Sequence, residues 1–198
     1  MRAPPAAYWV AAVAVLAVDL AAMALMLRPN VSSDYRAYYI DKSSDCWPHQ
    51  TAAAYVPGTT LSFAYPPKGA DFTPNKICGW FYPDKNGDWS YGRFSLLRFN
   101  FAPVAGDLTL AVEARAMVSP AHPVQQVEVS ANGLALGTWR FDSAERATKT
   151  LSVPAKIAAS GRIDLRFDYP DARPGRELGP AEDAHLRAIE VETLTLAP

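Results

Sequence analysis

Three histidines, His49, His122 and His185, and two cysteines, Cys46 and Cys78, are the side chains best suited to metal or nucleophilic chemistry. No histidine has a second one three or four residues away, the spacing that puts two zinc ligands on one helical face. The cysteines are too far apart for a C-x-x-C metal or redox motif. No G-x-S-x-G elbow, Walker loop or G-x-G-x-x-G occurs, and Gly87-Asp-Trp-Ser90-Tyr-Gly92 matches the elbow only in outline, within a tryptophan-rich turn. Carboxylates crowd residues 170–185, where Asp171, Glu177, Glu182 and Asp183 could hold calcium or supply an acid–base pair such as Glu177 with Asp183. The plainer use is a solvated loop paired internally with Arg173, Arg176 and Arg187. The expectation is a protein that is not an enzyme and carries neither metal nor cofactor. Cys46 and Cys78 are expected to form a disulfide, which would place the domain in an oxidising compartment such as the periplasm. Two separate buried thiols are the alternative.

The elements around these residues divide into two kinds. Tyr8 to Leu27 is an apolar run of 20 residues broken only by Asp19. As a helix it spans about 30 Å, the thickness of a hydrocarbon core. Tyr8 and Trp9 suit one interface, and Arg28-Pro29-Asn30 stops the helix at the other. Ala22-Met23-Ala24 offers a signal-peptide cleavage site, but the run exceeds a usual signal core, so residues 1–29 are expected to remain as a single-pass anchor. A carboxyl at mid-span costs about 2.5–3.5 kcal/mol on insertion scales. Asp19 shares a helix side with Ala12, Ala22 and Met23, a small-residue surface on which another membrane helix could dock. A protonated Asp19 in a tolerant alanine helix is the other reading.

Beyond residue 100 the apolar pattern has period two. Leu108, Leu110, Val112 and Ala114 alternate with polar residues, as do Ile163, Leu165, Phe167 and Tyr169. Val127 and Val129 lead into Asn132-Gly133, a hairpin signal, and the phase change at Gly137 predicts a bulge. Ile189, Val191, Leu194 and Leu196 close the pattern. The predicted fold class is all-β, an antiparallel β-sandwich or jelly roll over residues 75–198, preceded by one N-terminal transmembrane α-helix. Residues 30–74 read as an aromatic, proline-rich linker with the first strands. Most aromatics lie between residues 35 and 101. Among them Trp80, Tyr82, Trp89 and Tyr91 are candidate saccharide or protein contacts, although most of this group could simply complete a core.

Lys+Arg is 19 against Asp+Glu 20, a net charge of −1, which speaks against nucleic acid as partner. Gly79-Trp80-Phe-Tyr-Pro83-Asp84 followed by Gly87-Asp-Trp89-Ser90-Tyr-Gly92 resembles a signature of a bacterial β-sandwich module appended to membrane glycosyltransferases and envelope-glycan proteins. Gln126 to Val129 with Asn132-Gly133, Trp139 with Phe141, and Glu177-Leu178-Gly179 with Asp183 and Arg187 continue the resemblance over residues 75–197. It implies a carbohydrate-binding or jelly-roll accessory domain, with no catalytic residue carried over. Asp84, Asp88 and the His185-Leu186 pair depart from the signature.

Taken together, the sequence predicts a single-pass accessory subunit of a bacterial inner membrane with its sandwich in the periplasm. Its expected partners are an integral-membrane protein complex, membrane lipid and, by resemblance, a glycan. A structural subunit of an energy-transducing complex, photosynthetic or respiratory, is the alternative.

Overall fold

A computed structural model describes residues 6–27, 31, 35–41, 46, 53–177 and 183–198. Helix α1 (Ala6–Leu27) is built almost wholly from alanine, leucine, methionine and valine. Its backbone hydrogen bonds are satisfied internally, which is what a hydrocarbon environment demands. Over Ala6–Met26 the mean hydropathy is 2.2 and none of it is buried against the rest of the protein. The helix is therefore long and apolar enough to cross a membrane. The residues expected to stop it, Arg28, Pro29 and Asn30, lie outside the described residues.

Arg36–Ile40 forms a short helical turn, and from Ala53 onward the described chain builds a β-sandwich of two six-stranded sheets. In the first sheet the order is β1 (Ala53–Ala54), β6 (Phe94–Asn100), β11 (Arg162–Asp168), β8 (Gln125–Ala131) and β9 (Leu134–Phe141), with β4 (Lys76–Cys78) also pairing β6. The second runs β10 (Ala147–Val153), β7 (Leu108–Ala116), β14 (Ile189–Ala197), β2 (Thr60–Ser62) and β3 (Ala70–Asp71), with β5 (Asp88–Trp89) on β14. All pairings are antiparallel except β1 with β6 and β2 with β3. A two-stranded ribbon, β12 (Arg173–Pro174) with β13 (Leu186–Arg187), stands beside them, and a short helix α2 (Ala155–Ala158) precedes β11.

Alternation explains the core. Leu108, Leu110, Val112 and Ala114 of β7 face Leu97 and Phe99 of β6 and Ile163, Leu165 and Phe167 of β11, all fully buried. Both irregularities have a sequence cause. At Asn132-Gly133 the backbone turns with positive φ, 49° and 79°, as a tight hairpin between β8 and β9 requires. The register then slips opposite Val129 and Ser130, the bulge expected at Gly137. A second slip between Val191 and Thr193 shifts the apolar phase, so Val191 and Leu194 both point inward.

Candidate functional site

The segment joining β4 to β6 is held in place by backbone contacts that tolerate few substitutions. Gly79 has φ +75°, and a Cβ there would run into the Phe94 carbonyl. Its carbonyl accepts the Tyr91 N–H at 2.7 Å and the Ser95 hydroxyl. Phe81 N–H donates to the Trp89 carbonyl at 2.9 Å, so residues 79–81 and 89–91 form a narrow antiparallel ribbon. Ser90 is buried and ties this ribbon to the start of β14. Its Oγ accepts the N–H groups of Ala188 at 2.8 Å and Ile189 at 3.2 Å, and its own N–H donates to the Ile189 carbonyl at 2.8 Å. Tyr169 closes the underside by donating its hydroxyl to Ser95 Oγ at 3.0 Å.

Above this scaffold lies an open cleft of about 560 Å³, lined by Lys76 to Tyr82, Tyr91 and His185. Its wall is a row of rings. Phe81 and Tyr91 are near-parallel, with centroids 5.9 Å apart and an interplanar angle of 14°. Tyr91 and His185 follow at 5.0 Å and 37°. Tyr82 meets Phe81 edge-on at 5.3 Å and is 80% exposed. The Arg187 guanidinium lies over Phe81, 4.4 Å from the ring centroid, and is paired to Asp183 at 2.7 Å. The same carboxylate meets His185 Nδ1 at 3.1 Å. Flat rings with polar tips, mostly apolar walls and a few fixed polar groups are what a small polar ligand with apolar faces needs.

Two carboxylates stand by the cleft, and both are engaged. Asp88 is completely buried, with Oδ2 3.5 Å from Lys76 Nζ and Oδ1 without a partner among the described residues. Burial raises its pKa to about 6, against the opposing pull of the Lys76 ammonium. Lys76 in turn donates to the Phe81 carbonyl at 2.6 Å, so the pair braces the ribbon from beneath. Burial also pushes Asp183 upward, but the His185 N–H and the Arg187 charge outweigh it and hold that carboxyl below its usual range. Among the described residues no group of three or more His, Cys, Asp and Glu side chains is placed to hold a metal ion.

Cys46 and Cys78 are joined in a disulfide, with Cα atoms 4.5 Å apart, and Cys78 lies in the cleft wall. Of the four aromatics singled out in the sequence, Tyr82 and Tyr91 present rings to the cleft. Trp80 contributes to its floor but is only 6% exposed, because Phe63, Phe72 and Phe167 pack around its indole at 5.1 to 6.1 Å. The indole N–H is spent on the Leu96 carbonyl. Trp89 is half-buried away from the cleft, beside the guanidinium groups of Arg115 and Arg187. Ala12, Asp19, Ala22 and Met23 are exposed along α1. In the carboxylate-rich loop Asp171 accepts the Gln126 N–H at 3.3 Å and Glu177 is exposed, whereas Glu182, like His49, lies outside the described residues. The sequence did not single out Phe81 or Lys76, and it named His185 only as an isolated histidine, not as a neighbour of Tyr91. The apolar-polar mixture at 76–82 was the available signal for the first two. His185 joins only through the β12–β13 ribbon, which no local pattern announces.

No family model matches the sequence, and no curated protein does. Among solved structures, the CBM36-1 domain of a multidomain xylanase from the hindgut metagenome of Trinervitermes trinervoides aligns with a TM-score of 0.38 at 12% identity, covering 57% of this chain and 77% of that one. The CBM6-3 module of Clostridium stercorarium, in complex with cellobiose, gives 0.34 at 13% identity, covering 63% and 82%. The insecticidal delta-endotoxin Cry8Ea1 of Bacillus thuringiensis gives 0.38 at 11%, covering 57% of this chain and 20% of the toxin. No residue role transfers at such similarity, and the site rests on this chain's own geometry.

Proposed function

We propose that this chain is a non-catalytic, membrane-anchored accessory subunit whose β-sandwich binds a saccharide in the cleft beside the disulfide. The observation that carries this reading is the ring wall of Phe81, Tyr91 and His185 with the exposed Tyr82 at its rim. A pyranose offers a flat C–H face to such rings and hydroxyls to the tyrosine and imidazole tips. The carboxylates nearby are committed to ion pairs, which favours binding over bond cleavage. Envelope-glycan assembly in a bacterial inner membrane, with the sandwich in the periplasm, is the setting that fits the disulfide and the sequence resemblance. Screening the full chain in nanodiscs against a panel of oligosaccharides tests the reading. Saccharide binding that Tyr82→Ala and Tyr91→Ala each weaken about tenfold is expected (about 1.4 kcal/mol). Absence of binding across the panel rejects it.

A second reading concerns α1. Asp19 sits exposed in the middle of an otherwise apolar helix. In a bilayer such a carboxyl needs a donor, and a neighbouring membrane helix meeting the Ala12, Ala22 and Met23 side would supply one. Blue-native electrophoresis of mild-detergent extracts is expected to show a larger complex that Asp19→Leu dissolves. A free monomer in both cases rejects docking. Co-purifying haem or pigment proteins would assign the complex to energy transduction instead of glycan assembly.

A further inference from the structure

One carboxylate organises the side of the cleft that His185 lines. Asp183 Oδ1 accepts the backbone N–H of His185 at 3.2 Å and meets its ring Nδ1 at 3.1 Å. Asp183 Oδ2 takes the Arg187 guanidinium at 2.7 Å, and that guanidinium lies over Phe81. Backbone pairing holds the same residues. Gly175 N–H donates to the His185 carbonyl at 2.8 Å, and Arg176 N–H donates to the Asp183 carbonyl at 2.7 Å. A Cβ at position 175 would stand 2.1 Å from Asp183 Oδ2, so the carboxylate occupies space that only a glycine leaves open. Asp183 is thereby confined between Gly175, His185 and Arg187.

The two ring nitrogens of His185 are set by that confinement. The turn that brings the His185 N–H to Oδ1 also brings Nδ1, the ring nitrogen nearer the backbone, to the same oxygen. Burial works against charge on Asp183, yet the His185 N–H and the Arg187 charge hold its carboxyl below its usual range. An ionised carboxylate only accepts, so the proton of a neutral imidazole sits on Nδ1 and Nε2 keeps its lone pair. His185 is exposed and lines the cleft, its ring centroid 5.0 Å from that of Tyr91. Among the described residues no group meets Nε2.

Resting on the reading of the cleft as a saccharide site, we infer that Asp183 is the positioning residue that holds His185 in its Nδ1–H form, and that Nε2 accepts a hydrogen bond from a hydroxyl of a saccharide lying across Tyr91. The cleft therefore selects a donor at that position. A sugar hydroxyl supplies the proton while the C–H face of the same ring covers Tyr91. A carboxylate or carbonyl oxygen there would set acceptor against acceptor and leave both unpaired.

The test uses the full chain in nanodiscs with isotopically labelled histidine nitrogens, at a pH where the imidazole is neutral. Nuclear magnetic resonance distinguishes a protonated ring nitrogen from one with a free lone pair, and the signals of His185 are those lost in His185→Gln. Wild type is expected to carry the proton on Nδ1, and its Nε2 signal is expected to move upfield when the neutral oligosaccharide that binds best in the panel is added to saturation. A proton on Nε2 in the free protein overturns the assigned form, and an Nε2 signal unmoved at saturation overturns the hydrogen bond. Asp183→Ala and Gly175→Ala are each expected to let the Nε2–H form appear and to weaken binding of that oligosaccharide about fivefold. Gly175→Ala removes no charge and lies outside the cleft lining. With folding checked by circular dichroism, an unchanged proton position in both variants overturns the role of Asp183. His185→Asn can still donate to Asp183 but places no acceptor where Nε2 stood, whereas the longer amide of His185→Gln reaches that point. Binding at least about fivefold weaker in His185→Asn than in His185→Gln is expected, and equal affinities overturn the acceptor. Absence of any saccharide binding would reject the cleft reading itself, while the proton position in the free protein would still decide what Asp183 does.

Discussion

The paired strands β6, β7 and β11 and the connecting segment Gly79–Gly92 solve the same burial problem by different means. In the strands, a side chain every second residue points inward, and burial depends on apolar volume: Leu97, Leu110 and Leu165 are fully buried. In the segment, burial depends on the absence of a side chain at Gly79 and Gly87, and on polar groups with internal partners at Ser90 and Asp88. The same few residues also expose Tyr82 and turn the half-buried Tyr91 toward the cleft. A strand substitution therefore removes packing, whereas a substitution in the segment removes geometry, and the two should respond differently to volume, charge and pH.

Gly79→Ala is expected to give the largest effect. Its Cβ meets backbone that cannot move aside, at a positive φ that alanine resists, so a loss above about 4 kcal/mol or failure to fold is expected in thermal unfolding. Leu165→Ala should cost about 3 kcal/mol through a cavity, measurable by urea denaturation. A smaller loss from Gly79→Ala than from Leu165→Ala would break the contrast.

Asp88 sharpens it through pH. Its folded pKa of about 6 lies above the unfolded value, so the folded state binds the extra proton between about pH 4 and pH 6. The contribution of this group to stability is therefore greatest below that window and is lost as pH rises through 6. Asp88→Asn mimics the neutral form. Wild type is expected to gain on the order of 2 kcal/mol relative to Asp88→Asn as pH falls from 7 to about 4. A difference independent of pH would show that Lys76 already neutralises the carboxylate. The smallest expected effect on stability is that of Tyr82→Ala, within about 0.5 kcal/mol, since the ring is 80% exposed.

The strands were legible in the sequence because each residue's neighbours two positions away repeat its environment. Leu108 to Ala114 and Ile163 to Tyr169 could be assigned inward faces from alternation alone, and Asn132-Gly133 named its own turn. In the connecting segment, identity did not fix direction. Trp80 and Tyr82 stand two apart in the same aromatic run, yet one indole is enclosed by Phe63, Phe72 and Phe167 and the other ring faces out. That outcome depends on residues distant in the chain, as does the arrival of His185 beside Tyr91. The disulfide was legible as a pairing because only two cysteines exist, but its position in the cleft wall required the β4–β6 register.

The central claim is that ligand binding lies with the tyrosine rings that line the cleft, Tyr82 and Tyr91, and not with the tryptophans of the segment. Calorimetric titration of the best-binding oligosaccharide into wild type, Tyr91→Ala and Trp89→Ala, each in nanodiscs with its unfolding temperature recorded, tests it most directly. The account predicts about tenfold weaker binding for Tyr91→Ala at a nearly unchanged unfolding temperature, and affinity within about twofold of wild type for Trp89→Ala. Wild-type affinity in Tyr91→Ala, with the loss appearing in Trp89→Ala, would contradict it.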